Sequence, residues 1–558
     1  MAANRIDSDV SALSGRIVTM NGNRDVVDPG TIYIRAGRIV DVRPSDKPAP
    51  DGFTDVVPVA TGGTVFPGLI ELHNHLPYDV LGLWAVPKKY TNRDQWSSIP
   101  DYRQLITGPM AALGSDPHLV AAIIRYVELR ALLGGTTTSQ GVTLSSAPGM
   151  VKHFRGLVRN VEAPGEDDLP AATTHIADVD AKDATKFLAR ISTGQKMILH
   201  LSEGTDDAAH KHFAALQIAP DKWAITENLI GIHCVGLADA DFKVLAQHGG
   251  SMIWSPLSNL LLYGQTANLP AALAAKVPIA LGSDWAPSGS KNLLGELKVA
   301  RLAAPKSVAD ADLVAMATST PAKLLGWDGL LGSLQSERIA DLFVVHGTEG
   351  DPYGCLLAAT EADLDLVVIG GIPRLATSTL MRKLGVTAGT EALTIRRKKR
   401  VLNLTEGTAD PDVEALSAED AIKALGAALA DLPKHGLMPK QLAAANGVRL
   451  AVEGLVDNQM TPRPHLPYQG EFTGPNLSRP SLTEQRDLLA AVGPLPALTL
   501  DPLTAVDNPG FYKALAAEMN LPEDIKAGLQ RQSALLRVPR QARPTSRPRT
   551  RGRQVGAR

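Results

Sequence analysis

The central part of the chain, from about residue 66 to 328, alternates short apolar runs with segments of helical spacing. Four of the clearest apolar runs are KMILHLSE, ENLIGIHCVG, GSMIWSPLS and VPIALGSDW. This alternation is typical of βα units around a parallel sheet. Counting from Val65 gives eight predicted strands, and a length of about 250 residues suits a TIM (β/α)8 barrel. We therefore predict an α/β barrel over residues 66–328.

The two regions that flank this barrel have a different pattern. Residues 1–65 contain β-branched runs broken by Gly, Asn and Pro, such as SGRIVTMNG and GTIYIRAGRIVDVRP. A similar texture returns in residues 329–390, for example in ADLFVVHG and LDLVVIGG. Such runs predict short strands. We expect the two flanks to pair into one composite β-sandwich domain outside the barrel.

Beyond the second flank the pattern becomes helical. Residues 391–536 include Ala- and Leu-rich segments such as AEDAIKALGAALADL, and many prolines, so we predict a mainly helical, Pro-rich extension. Residues 537–558 are rich in Arg, Pro and Gly and contain no acidic residue, which predicts a disordered basic tail. A solvated tail without a role is the favoured interpretation, and binding to RNA or to an acidic partner is the alternative.

The composition excludes several classes of protein. The 558 residues have a formal net charge of -2, which gives no global attraction to nucleic acid or to an anionic membrane. The two cysteines, Cys234 and Cys355, are too few for a disulfide framework and suit a reducing compartment. The N-terminus lacks the form of a signal peptide, and no apolar run approaches the roughly 20 residues of a membrane span. We expect a cytoplasmic protein.

Side chains that can bind a metal follow several predicted strands at the point where each strand ends. They are His73 and His75 after strand 1, His200 and Glu203 at strand 5, His233 at strand 6, and Asp284 after strand 8. The carboxyl ends of barrel strands meet at one face, where the active sites of such barrels lie. Several imidazoles together with a carboxylate suit Zn²⁺, with Fe²⁺ as the alternative. The sequence therefore predicts a site for one divalent metal.

The motifs around these residues resemble those of a known family. FPGLIELHNH, GGTTT, HLSE, GIHCVGLADADFKVLAQHG, WSPLSNLLL and LGSDWAPSG occur in the order found in the metal-dependent amidohydrolase superfamily. The chain is most similar to its mononuclear branch, which includes cytosine deaminase, chlorohydrolases and adenosylhomocysteine deaminase-like enzymes. The resemblance implies metal ligands at His73, His75, His200 and Asp284, and catalytic roles for Glu203, His233 and Asp284. The predicted strand 4, AATTHIAD, lacks the lysine that bridges two metals in binuclear members.

This resemblance implies a hydrolase that attacks a C–N bond with hydroxide activated by the metal. Glu203 would carry a proton to the substrate ring or to the leaving amine. Deamination of an aminated heterocycle is the expected reaction, and hydrolysis of a cyclic or linear amide is the alternative. A third alternative is a non-catalytic scaffold of the same shape, although such relatives usually lose metal ligands and this chain retains each one that can be aligned.

Residues for substrate binding are less well specified by the sequence. Aromatic residues crowd in the long loop after strand 1, and Trp84 is our candidate contact for a planar small-molecule substrate. Arg93 and two lysines in the same loop could meet a substrate carboxylate. Asn259 in the SPLSNLLL motif is a second candidate, with a structural role in the strand 7 loop as the alternative. A homo-oligomer is expected on general grounds.

Overall fold

The computed structural model describes residues 10–97, 99–114, 116–140, 156–175, 178–305, 307–405, 410–435 and 495–537. The basic tail predicted over residues 537–558 and much of the Pro-rich segment therefore lie outside the described residues. The strands in these ranges are β1 Val10–Val18, β2 Val26–Arg35, β3 Arg38–Pro44, β4 Val59–Pro67, β5 Leu69–Glu71, β6 Thr136–Ser139, β7 Arg159–Asn160, β8 Thr173–His175, β9 Met197–Leu201, β10 Gln217–Ala219, β11 Lys222–Trp223, β12 Leu229–His233, β13 Ser251–Trp254, β14 Ile279–Leu281, β15 Leu342–His346, β16 Leu364–Ile369, β17 Ile372–Ala376, β18 Thr390–Ile395 and β19 Lys398–Asn403.

Helices connect most of these strands. The α-helices are α1 Pro100–Tyr102, α2 Gly108–Gly114, α3 Pro117–Leu133, α4 Ala184–Ile191, α5 Asp207–Ala214, α6 Asp239–Gln247, α7 Pro256–Tyr263, α8 Leu269–Ala274, α9 Leu293–Ala303, α10 Asp310–Met316, α11 Ser319–Leu325, α12 Pro352–Ala358, α13 Ser378–Lys383, α14 Pro411–Glu414, α15 Ala418–Ala430, α16 Leu432–His435, α17 Phe511–Ala517 and α18 Glu523–Arg537. Short 3₁₀ turns lie at Leu76–Val80, Arg93–Gln95, Ala181–Asp183 and Glu361–Asp363, and a π turn at Arg103–Thr107. No helix in the described ranges is both long enough and apolar enough to cross a membrane.

Eight of the ten strands described in the central region are parallel but form two hydrogen-bonded sheets, and β10 and β11 form a separate antiparallel pair. One has the order β5-β6-β7 and the other β14-β13-β12-β9-β8. The two sheets approach each other through the Ala172 amide, 2.9 Å from the Val161 carbonyl, and through a parallel bridge between Asn74 and Asp284. The architecture is α/β as predicted, whereas the predicted barrel is not confirmed as one continuous closed sheet. The strand bodies are buried on both faces, which explains their unbroken apolar runs.

Strands from both flanks meet in a single sheet. Its order is β18-β19-β17-β16-β15-β4-β1-β2-β3, with β4 of the first flank antiparallel to β15 of the second. Val65 faces Val344 in this pairing, and both belong to one apolar cluster. Among the described residues the flanking strands thus form one nine-stranded sheet, so the two facing sheets of a sandwich are not confirmed.

The nine-stranded sheet continues past residue 390, where we placed the end of the second flank. Strands β18 and β19 pair through a turn at Arg396 and Arg397, whose φ angles are 44° and 66°. Two-residue hairpin turns with positive φ usually contain Asn or Gly, so two arginines gave no turn signal. By contrast, the turn that connects β2 to β3 lies at Ala36-Gly37, where the glycine is a usual turn residue.

The described part of the C-terminal region packs against the central region. Helix α15 lies on α3, and α18 lies against α9. Asp501 is buried and accepts hydrogen bonds from Arg130 of α3 and from Lys291. These contacts attach the C-terminal segment to the loops that carry the candidate site.

Candidate active site

The polar residues predicted at the strand ends lie together at one end of the central sheets. The ring centres of His75, His200 and His233 lie 4.9–5.1 Å from the ring centre of His73. The His200 ring also lies 5.5 Å from the His75 ring and 5.3 Å from the His233 ring. Asp284 Oδ1 lies 3.0 Å from His73 Nε2 and 3.6 Å from His75 Nε2. Four imidazoles and one carboxylate therefore converge on a single point.

The backbone explains how strands 1 and 8 bring their ligands together. The His75 amide donates to the Asp284 carbonyl at 2.6 Å, and the Asp284 amide donates to the His73 carbonyl at 3.0 Å. Gly282 allows this approach, because a Cβ at that position would lie 2.6 Å from the His73 Cβ. Asp284 and His233 both have left-handed φ angles, 66° and 67°. Such conformations cost on the order of 1–3 kcal/mol each and concentrate at functional sites.

The ligand atoms fit one divalent metal. Two sets of three have atoms within 4.8 Å of one another, namely His73, His75 and Asp284, and His73, His200 and His233. His73 is fully buried, and its Nδ1 has no hydrogen-bond partner in the described structure, while its Nε2 lies 3.0 Å from Asp284 Oδ1. Since buried imidazole nitrogens normally have a partner, this arrangement fits a bound cation.

The proton on His233 is placed by its neighbours. The Trp254 indole can only donate, and its Nε1 lies 2.7 Å from the Thr266 hydroxyl. That hydroxyl therefore donates to Asn259 Oδ1 at 3.2 Å, which turns Asn259 Nδ2 toward His233 Nδ1 at 3.0 Å. His233 Nδ1 accepts this hydrogen bond, so the proton of the neutral ring is on Nε2. A protonated Nε2 cannot bind a metal, which separates His233 from the other three imidazoles.

Glu203 lies beside His233 without being part of the histidine cluster. Its Oε2 is 3.7 Å from His233 Nε2 and 3.9 Å from Arg93 Nη1. Its Oε1 accepts a hydrogen bond of 2.7 Å from the Tyr263 hydroxyl. Arg93 also contacts Asp178 at 3.2 Å. We expected Arg93 to meet a substrate carboxylate, whereas here its guanidinium lies between two carboxylates of the protein itself.

Burial separates the protonation states of these groups. It raises the pKa of Glu203 to about 7, against the lowering effect of Arg93, and it lowers the pKa of His233 to about 3 and of His75 to about 4. Burial alone would raise the pKa of Asp284, but the neighbouring histidines, His73 above all, hold it well below its usual range. The site thus combines an ionised carboxylate, neutral imidazoles and a carboxyl that can exchange a proton near neutral pH.

A second buried acid supports the Asp284 turn. Glu71, the last residue of β5, accepts hydrogen bonds from the Ser283 amide at 2.9 Å and from the Ser283 hydroxyl. The side-chain amide of Asn74 donates to the same hydroxyl at 3.0 Å, and its backbone amide donates to Gln140 Oε1. Burial raises the pKa of Glu71 to about 7. These contacts hold the two strand ends in register.

Aromatic side chains from the loops after strands 1 and 8 cover the site. Trp285, which follows Asp284, lies 5.8 Å from the His75 ring and 6.3 Å from the Trp96 ring. Trp84 is buried, and its indole donates to Asp101 at 2.6 Å. The cover thus lies over the exposed side of the cluster, since His75 is its most exposed imidazole with 20% of the side chain accessible.

Sequence reasoning did not identify Tyr263 or Trp285 as parts of the site. Trp285 adjoins a predicted ligand, so its position was a usable signal. Tyr263 lies at the end of α7, four residues after Asn259, and one helical turn brings it to the same face. The lysines that follow the predicted strand 4 also lie away from the site, since Lys182 and Lys186 are exposed and pair with Asp180 and Asp183.

Part of the chain matches the model of a known family. The model of the amidohydrolase family matches residues 192–373, which include His200, Glu203, His233 and Asp284. The 5-methylthioadenosine/S-adenosylhomocysteine deaminase of Symbiobacterium thermophilum is 24% identical over 405 residues, 64% of this chain and 91% of the relative.

Solved structures share the fold. An adenosine deaminase from Xanthomonas campestris with bound zinc matches with a TM-score of 0.52 and 19% identity, over 67% of this chain and 96% of that one. A mutant atrazine chlorohydrolase from Arthrobacter aurescens, complexed with zinc and atraton, matches with a TM-score of 0.56 and 17% identity, over 75% of this chain and 99% of that one. The chain is thus similar in sequence to the amidohydrolase family over residues 192–373 and similar in fold to these two zinc-bound enzymes.

Proposed function

We propose that this protein is a metal-dependent hydrolase that removes an amino group from an aminated heterocycle. The observation that carries the proposal is the placing of Glu203. Its carboxyl lies next to His233 and near the metal-binding cluster, and its pKa of about 7 suits a group that takes up and releases a proton. The name of the Symbiobacterium relative, a deaminase, supports the same reaction.

We assign the metal to His73, His75, His200 and Asp284. A nitrogen-rich set with one carboxylate favours Zn²⁺ over the harder cations, which prefer oxygen ligands. When bound, such an ion supplies Lewis acidity and makes water a stronger acid, with a pKa near 7 in place of about 15.7. His233 is outside this set because its Nδ1 is occupied by Asn259.

The residues of the chain then divide the proton transfers. Asp284, ionised at neutral pH, accepts the proton of the attacking water. His233 donates from Nε2 and so orients the attacking oxygen. Protonated Glu203 donates to a ring nitrogen or directly to the leaving amine. In the first case Asp284 passes the proton of the attacking water to the amine, so the amine departs as ammonia in both. The aromatic cover excludes bulk water and suits a flat substrate.

The proposal is tested by measuring ammonia release from zinc-loaded protein with a panel of aminopurines, aminopyrimidines, aminotriazines and pterins. We expect at least one substrate class to give ammonia. We expect Glu203→Gln, which keeps the shape but cannot donate an acid proton, to lose on the order of 10²- to 10⁴-fold in rate.

Two outcomes would contradict the proposal. Ammonia release that persists in Glu203→Gln would remove Glu203 from the reaction. Silence across the panel, with one metal bound per chain and turnover of cyclic or linear amides, would replace deamination with amide hydrolysis.

A further inference from the structure

A buried hydrogen-bond chain connects the cover loop to Glu203. Trp96, in the loop after strand 1, donates from Nε1 to the Tyr263 hydroxyl at 3.0 Å, and that hydroxyl bonds to Glu203 Oε1 at 2.7 Å. Tyr263 has 1% of its surface exposed and Trp96 has 7%. The chain thus joins three separate parts of the fold: the cover loop, helix α7 and the end of strand β9.

The direction of this chain is fixed by chemistry. An indole nitrogen has a proton and no lone pair to share, so it can only donate. The Tyr263 oxygen therefore accepts from Trp96. Its single proton is left for Glu203 Oε1, the other hydrogen-bonding neighbour that the described structure gives to this oxygen.

The direction determines which oxygen of Glu203 can carry a proton. Oε1 is occupied as an acceptor, so a proton taken up by Glu203 resides on Oε2. Oε2 is the oxygen that lies 3.7 Å from His233 Nε2, on the side of the metal-binding cluster. A proton on Oε1 would point at Tyr263 and away from the reacting atoms.

We propose that Tyr263 and Trp96 are positioning residues that keep the exchangeable proton of Glu203 on Oε2. The proposal rests on the proposed function, because it concerns the residue that we assign as proton carrier. Trp96 takes part because its donated hydrogen bond leaves the Tyr263 proton only Glu203 Oε1 to bond to.

The test is a kinetic comparison of zinc-loaded Tyr263→Phe, Trp96→Phe and the double variant. We expect Tyr263→Phe to lower kcat for ammonia release by roughly 10- to 100-fold, the effect of one hydrogen bond to a charged group. We expect KM to stay within about twofold and bound metal to stay equal to wild type. Because Trp96 acts through Tyr263, the double variant should be no slower than Tyr263→Phe.

The matched control is Tyr90→Phe. Tyr90 lies in the same cover loop and is fully buried, but its hydroxyl has no hydrogen-bond partner in the described structure. We expect its kcat to stay within about twofold of wild type. An unchanged kcat in Tyr263→Phe, a change confined to KM, loss of metal, or multiplicative effects of the two substitutions would each overturn the assignment.

A neutron structure of the deuterated protein gives a readout independent of any substrate. We expect the deuterium between the two residues to be bonded to the Tyr263 oxygen and directed at Glu203 Oε1. A deuterium bonded to Oε1 would overturn the inference even if the protein proved to be an amidase. Conversely, the expected deuterium position without ammonia release from any substrate would leave the positioning intact and reject deamination.

Discussion

At the scale of single residues, neighbours that can only donate a hydrogen bond determine where the protons of the site lie. Trp254, through Thr266 and Asn259, fixes the proton of His233 on Nε2. From the sequence, Asn259 is a candidate substrate contact. In the structure its side chain bonds to His233 and Thr266 of the protein. Because the proton of His233 is on Nε2, we propose that the other four residues, His73, His75, His200 and Asp284, hold a single metal ion.

Arg93 provides a prediction about pH dependence. Glu203 must be protonated to donate, so kcat should fall as the pH rises through its pKa, which burial raises to about 7. The Arg93 cation lowers this pKa, so Arg93→Gln should raise it and move the basic limb of the kcat–pH profile to higher pH. The profile is measured on both sides of neutrality.

Arg93→Lys is the matched control, because it keeps a positive charge in the same loop. We expect its basic limb to lie closer to wild type than that of Arg93→Gln. A limb that moves to lower pH in Arg93→Gln would contradict the assignment of Glu203 as the proton donor.

At the scale of elements, the site residues that were easiest to predict from the sequence are those at the ends of strands. Each of His73, His200, His233 and Asp284 follows a buried apolar run, and strand direction alone brings such ends together. Tyr263 and Arg93 depend on how a helix and a long loop fold over the sheet, which no local pattern encodes. The hairpin turn at Arg396 was missed for a related reason, because tertiary packing overrides its weak local preference.

The segment around Asp501 provides a prediction about stability. Asp501 is the shared partner of Arg130, which is fully buried, and of Lys291, which is 2% exposed. Asp501→Ala would leave two buried cations without this carboxylate, so we expect the free energy of unfolding to fall by about 3–5 kcal/mol. The measurement is equilibrium denaturation by urea.

Glu523→Ala is the control for this substitution. Glu523 pairs with Lys526 of the same helix and is 90% exposed, so its loss should change stability by less than about 0.5 kcal/mol. Equal stabilities of Asp501→Ala and Glu523→Ala would show that the C-terminal segment is not fastened to the central region through this network.

At the scale of the whole molecule, residues far apart in the chain complete one site. The proposed metal ligands come from strands 1, 5 and 8, and the aromatic cover comes from the loops after strands 1 and 8. Residues 495–537 pack behind helices α3 and α9. The family model ends at residue 373, so the C-terminal packing is a feature of this chain beyond the matched region.

The most direct test of this account is a metal titration of the chelator-treated protein, followed by its ammonia release. We predict that activity is lost on chelation, returns in proportion to added Zn²⁺, and reaches its plateau at one ion per chain. His73→Ala, which removes the fully buried ligand, should bind no metal tightly and stay inactive. Full activity in the metal-free protein, or a plateau at two ions per chain, would contradict the mononuclear mechanism.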